Sequence, residues 1–270
     1  MTKFNFRHLL ALCLTGVLLA SCKKEGCTDI NAINYEPKAK KDDNSCVYHQ
    51  GELNLAFQHT WAMSNAPFET GKDFVHPKTK DTLNYVTFSY YVSNIQLKDI
   101  DGNWWKEEES YYLVDLNKAS SQTLKIKGIP DGGYTAIRYT LGVDSLRNVS
   151  GAQTGALSTT NGMFWSWNTG YIMVKAEGLS PNSSTGSFTF HLGGFSGENS
   201  IVTTIQNDFG EIIYFDKDKS PTASINVNPA RMFHSAPSVS ERSSVHMPGE
   251  IAHMMGKDFY GSFSLTAIHQ

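Results

Sequence analysis

The chain has 270 residues, of which 40% are hydrophobic, 12% aromatic and only 18% charged. That length suits one large β domain or two ordinary ones, and the apolar share suffices for a packed core. A net charge of −3 lacks the basic footprint of a nucleic-acid binder. Low charge with abundant glycine and aromatics fits an exported β protein better than a helical cytosolic one.

Residues 1–21 have the anatomy of a secretory leader, with Lys3 and Arg7 ahead of an apolar run from Leu9 to Ala20. The run is too brief to span a bilayer. It ends Leu19-Ala20-Ser21-Cys22, which resembles a bacterial lipobox. That resemblance implies a lipidated Cys22 as the new N-terminus, holding the protein to a membrane outside the cytoplasm. An ordinary cleaved leader with an incidental Cys is the alternative. Lys23 and Lys24 follow, with no Asp to signal inner-membrane retention, so the outer membrane is expected, on its periplasmic or its surface side.

Cys13 leaves with the leader and Cys22 carries lipid, so the remaining Cys27 and Cys46 most simply pair in an oxidising compartment. Residues 22–50 look like a small Cys-bracketed module of bacterial surface proteins, with too few apolar residues to fold unstapled. They read as a spacer. Asp29, Asp42, Asp43 and Asn44 offer the hard oxygens that suit calcium; they are equally ordinary turn residues.

Residues 51–270 read as one β domain. In its first strand Leu53, Leu55, Phe57, His59 and Trp61 share one face at the two-residue period. The stripe ends in an imidazole and an indole about 6.5 Å apart. Further strands are expected over residues 84–98, 111–116, 124–127, 134–143, 163–177, 187–193, 201–205, 212–215 and 222–226. The first of these is long for one strand and bends near Ser93-Asn94. Asp101-Gly102 and residues 130–133 are turn signals. One short helix is expected around 249–255 and a surface loop over 235–244, with no internal repeat. The pattern predicts an all-β, antiparallel Greek-key sandwich.

Three motifs then appear in order: Leu141-Gly142-Val143-Asp144-Ser145, the segment from Gly162 to Tyr171, and Phe190-His191-Leu192-Gly193-Gly194. Together they resemble the MbnP-like proteins, periplasmic or surface copper proteins, over roughly residues 51–268. In that family a tryptophan is oxidised to kynurenine by a partner dihaem protein of the cytochrome c peroxidase type, and histidines complete a copper site. Indole nitrogen donates a hydrogen bond but has no lone pair to offer a metal; ring opening yields an aryl amine that does. Imidazole suits copper well.

Carried over to this chain, the resemblance implies His59 and His191 as ligands and Trp61, as kynurenine, as the third. Trp165 and Trp167, in the more characteristic motif, are rivals for the modification. His246 and His253 flank a helical turn with Met247, Met254 and Met255, and soft thioethers favour Cu(I); Met equally fills core gaps. His76, beside Pro77, reads as a loop histidine. Asp144 reads as a turn cap, or as a calcium ligand with Asn148.

No Gly-x-Ser-x-Gly elbow, His-Glu-x-x-His motif or phosphate-binding glycine loop occurs, so no enzyme is expected. Two functions remain: a lipid-anchored copper protein for acquisition, storage or delivery, and an adhesion or scaffold module that keeps the fold without the metal.

Overall fold

The computed structural model describes residues 24–270 apart from residues 65, 152, 167 and 168. The leader, Cys22 and Trp167 lie outside the described residues. The chain divides into two units between Tyr48 and His49.

The described part of the first unit is stapled by a Cys27–Cys46 disulfide, as its cysteine arithmetic implies. Ile30, Ile33 and Val47 are exposed, so cross-linking and polar contacts replace a core. The Asn34 side chain bridges Ser45 O and Val47 N. The carboxylates expected to suit calcium each serve their own turn. Asp29 accepts from Asn31 N and Tyr48 Oη, Asp42 from Asn44 N, and Asp43 from Ser45 N. Among the described residues they form no metal-holding cluster.

The second unit holds the strands β1 (Gln50–Trp61), β2 (Ala66–Pro67), β3 (Asp73–Val75), β4 (Thr82–Asp99), β5 (Trp104–Lys106), β6 (Tyr111–Asp115), β7 (Thr123–Pro130) and β8 (Gly132–Leu141). The short helix α1 (Ser145–Asn148) follows, then β9 (Phe164–Ser166), β10 (Gly170–Leu179), β11 (Ser187–Gly193), β12 (Thr203–Phe215) and β13 (Thr222–Val227). Last come β14 (Ser244–Val245), the helix α2 (Glu250–Tyr260) and β15 (Ser264–His269). One sheet runs β15-β13-β1-β2, with β7 also on β1; the other runs β12-β8-β4-β10-β11-β14, with shorter strands beside β4 and β10. Most pairs are antiparallel, but β1 with β13 and β11 with β14 run parallel. The result is the expected all-β sandwich.

Some boundaries differ from the expectation. Residues 163–177 form two strands, β9 and β10, paired as a hairpin. The stretches 201–205 and 212–215 join into β12, with a register shift between Asp208 and Ile213. The helix continues to Tyr260, because Met255, Phe259 and Tyr260 bury its inner face. The closing strand β15, too short to show a clear period, forms by pairing with β13.

The sheets meet through aromatics. Phe57 of β1 lies edge-on to Tyr90 and Tyr139 at 6.0 and 6.4 Å, and Phe259 of α2 packs on Phe88 and Tyr90. The β4 strand bends where expected, with Asn94 at φ 53° and a register shift between Ser93 and Gln96. A second irregularity lies at Gly178, which pairs with Tyr85 while its neighbour Glu177 pairs with Thr87, so that Val86 is skipped. This bulge lets Tyr85 and Phe88 both point inward while Val86 is exposed. It also brings β4 so close that a β-carbon at position 178 collides with the Asn84 carbonyl oxygen and comes within 2.6 Å of Phe188 Cζ.

β1 follows its period. Leu53, Leu55, Phe57, His59 and Trp61 are all buried. His59 Nε2 hydrogen-bonds Tyr90 Oη at 3.0 Å, while its Nδ1 is buried without a hydrogen-bond partner. Burial pushes its pKa down to about 4, against a small opposing pull from Gln122. Trp61 donates Nε1–H to Val75 O at 3.1 Å and stacks on Phe68. His76 is buried too: its Nδ1 accepts from Thr79 N, so Nε2–H donates to Ala230 O.

Two outcomes are expected. Gly178→Ala forces β4 and β10 apart and lowers stability by about 1–3 kcal/mol; an unchanged melting temperature contradicts the bulge geometry. The second concerns acid. Below pH 6.5 the unfolded His59 takes up a proton that the folded one refuses until about pH 4. Its contribution is therefore complete above pH 6.5 and lost as pH falls, by up to about 3 kcal/mol. Denaturant titrations at pH 7 and pH 4.5 should show a shallower pH dependence for His59→Phe than for the native chain.

Candidate metal centre

On β11 the side chains alternate, with Phe188, Phe190 and Leu192 buried and His191 half-buried between them. Phe188 meets the core ring Tyr85 and Phe190 meets Phe233. The strand pleat therefore turns His191 to the opposite, outward face. His59, bonded to Tyr90 inside the sandwich, does not share a site with it. The expected convergence of these two imidazoles does not form, because both strands keep their own parity and the sheet lies between the rings.

His191 has other company. Its Nε2 lies 2.7 Å from Glu177 Oε1 on β10, and its ring centroid lies 5.3 Å from that of His246, nearly perpendicular to it. The parallel pairing of β14 with β11, Ser244 opposite Thr189 and Val245 opposite Phe190, sets His246 beside His191. Burial pushes the His191 pKa down, and the Glu177 carboxylate only partly restores it. Burial pushes Glu177 up, but its hydrogen bond to His191 and the nearby Lys175 hold it below the usual range. At neutral pH the pair is then imidazole and carboxylate, with Nε2–H donated to Glu177. The His191 Nδ1 lone pair is left for a ligand, the carboxylate–histidine arrangement common in metal sites.

Trp165 completes the surroundings. Its six-membered ring occupies the space over Gly193 that a side chain would fill. Gly193 lies two residues beyond His191, on the same face of β11 and about 6.6 Å away. The indole thus sits on the His191 side of the sheet. Trp167, the other rival, lies outside the described residues.

The remaining motif residues build the support for this corner. Asp144 caps α1 by accepting from Arg147 N, and also accepts from Asn94 Nδ2 at 2.9 Å and Tyr111 Oη at 2.6 Å. Burial opposes its charge, yet these bonds hold its pKa below the usual carboxylate range. Asn148 donates Nδ2–H to the carbonyls of Val143 and Asp144, and its Oδ1 accepts Tyr171 N at 2.9 Å. These residues work as a clasp between the start and end of the segment that carries Trp165. Asp144 is the turn cap of the two roles expected for it.

His253 donates Nδ1–H to Ser200 O at 3.1 Å, and no contact joins it to His191 or His246 among the described residues. Met255 is buried in the core, Met254 packs against it and Met247 is exposed. Glu177 was not legible from motif spacing. The β10–β11 hairpin register, with Lys175 opposite His191, is what sets it diagonal to the imidazole.

The donors fit a metal in one respect and fall short in another. With metal–nitrogen bonds of about 2.0 Å, two imidazoles on one ion have centroids roughly 4.5–6.3 Å apart, and 5.3 Å lies inside that range. Among the described residues no group of three His, Cys, Asp or Glu is placed to hold an ion. An ion held by these two imidazoles would need a third donor of another kind or from solvent.

The family model described as MbnP matches residues 50–248. Among solved structures, MbnP from Methylosinus trichosporium is similar at 15% identity with a TM-score of 0.47, covering 70% of this chain and 80% of that one. No curated protein matches the chain. With the family model spanning most of the chain, this protein belongs to the MbnP family.

Proposed function

We propose that this protein binds one copper ion outside the cytoplasm, held by His191 and His246 beside Trp165, and serves copper acquisition, storage or delivery without catalysing a reaction. The observation that carries this reading is the approach of two imidazoles on the outer face, one with its Nε2–H fixed by a carboxylate. Imidazole nitrogen suits copper, and the His191 Nδ1 lone pair is the one that the Glu177 bond leaves available. Lipid on Cys22 would hold the protein at the membrane.

In this reading the modified residue is Trp165 in place of Trp61. Trp61 is enclosed by Phe68, Phe74 and Tyr85, with its N–H already bonded to Val75 O. Trp165 is only half-buried and shares the face of the paired histidines. Conversion to kynurenine by a dihaem partner would give an aryl amine where a third nitrogen donor is wanted.

Copper titration of the purified protein tests the ligands. His191→Ala and His246→Ala should each abolish tight binding, Glu177→Gln should weaken it about 10- to 100-fold, and His59→Phe should leave it unchanged. Protein that binds no copper, with its histidines intact, favours the scaffold reading instead. When the chain is made alongside its haem partner, the peptide holding Trp165 should be about 4 Da heavier, one oxygen gained and one carbon lost. The same mass change on the Trp61 peptide would return the modification to β1.

A further inference from the structure

A pocket of about 200 Å³ lies between the end of β1 and the turn Pro229–Phe233 that follows β13. Its wall carries Lys78, Arg231 and His234, with no carboxylate among the lining residues. Arg231 is half-buried, and its Nε is closed off from solvent without a hydrogen-bond partner. None of the ion pairs among the described residues involves it. A guanidinium is always charged and offers five donors in a planar fork that matches a carboxylate. A buried donor left without an acceptor is unfavourable, and most such groups in folded proteins have a partner.

The rest of the pocket is built to stay in place. Asn228 Oδ1 accepts from Ala62 N and Ala230 N, and its Nδ2 donates back to Ala62 O. These bonds hold Ala62 at φ 51°, a left-handed conformation that alanine seldom adopts. Backbone held this way by its surroundings is often found at ligand clamps. Beside it Met63 is 97% exposed, so the rim is apolar. The Lys78 ammonium donates to His234 O at 2.6 Å, which leaves two of its three donors for another acceptor. Both nitrogens of His76 are committed, so that ring serves as wall. Asp81, the carboxylate that acts on His76, is bonded to Val239 N and does not line the pocket.

We propose that this pocket is an anion site for a small carboxylate with a short apolar tail. The carboxylate meets Arg231 and Lys78, and the tail lies against Ala62, Met63 and Pro77. The site is separate from the paired histidines, and copper binding at His191 is not required for it.

The test is a titration of the ¹⁵N-labelled full chain with sodium butyrate at constant ionic strength, following the buried Arg231 Nε–H signal by NMR. A saturable shift below about 50 mM is expected, with sulfate weaker by about tenfold or more. Arg231→Gln, followed on the backbone amides of Ala62 and Met63 that line the pocket, should show no saturable butyrate response while leaving the melting temperature and the copper stoichiometry unchanged. Should that variant fail to fold, Lys78→Gln on the surface should raise the butyrate Kd several-fold. No saturable shift in the native chain, an equal response to sulfate, or undiminished butyrate binding in Lys78→Gln overturns the proposal. Acetyl-glutamyl amide, run in parallel, tells whether the group is read best as a free acid or as a side chain of a peptide.

Discussion

The pleat of one strand governs the outer face of this molecule. Phe188 and Phe190 are drawn into the sandwich by their burial against Tyr85 and Phe233, and a strand cannot send two neighbours to the same side. His191 is therefore forced outward, beyond reach of the inward-facing His59. Everything at the outer site, from the Glu177 contact to the approach of His246, depends on that parity.

The signature segments of the family divide their labour. Asp144 and Asn148 tie a long excursion of the chain back to the strands on either side of it. Gly193 has the opposite part, since its missing side chain leaves the space that Trp165 occupies. A motif that looks like a ligand set on paper is thus largely scaffolding, and its effect is to bring an indole to the histidine face. The inner face follows a different logic. His59 and Trp61 are embedded among aromatic rings, and each is anchored by one hydrogen bond.

The two faces also differ in charge chemistry. On the outside, a half-buried imidazole is balanced by a carboxylate and an adjacent lysine, so protonation there is tunable. Inside, His59 has Tyr90 and Gln122 in a dry shell, and its neutral state is enforced by lack of solvation. At the far end of β1, Arg231 carries a permanent charge with an unanswered buried nitrogen. Unlike the two imidazoles, it cannot shed its charge to suit its surroundings.

Much of the architecture was legible from residue order alone. The two-residue period of β1 named its five buried side chains, the pairing of Cys27 with Cys46 followed from counting, and β11 appeared with its observed bounds, because strand parity and covalent arithmetic are local properties. The bend at Ser93-Asn94 was legible for the same reason. The bulge opposite Gly178 was not, since it arises from how closely β10 approaches β4. What the sequence could not decide was which histidines meet. The period places His59 and His191 each on a face of its own strand but says nothing of which sheet, or which side of it, those faces border. Only the pairing of β11 with β10 on one edge and β14 on the other brings Glu177 and His246 to the same imidazole, because contacts between strands far apart in the chain are fixed by packing and not by spacing.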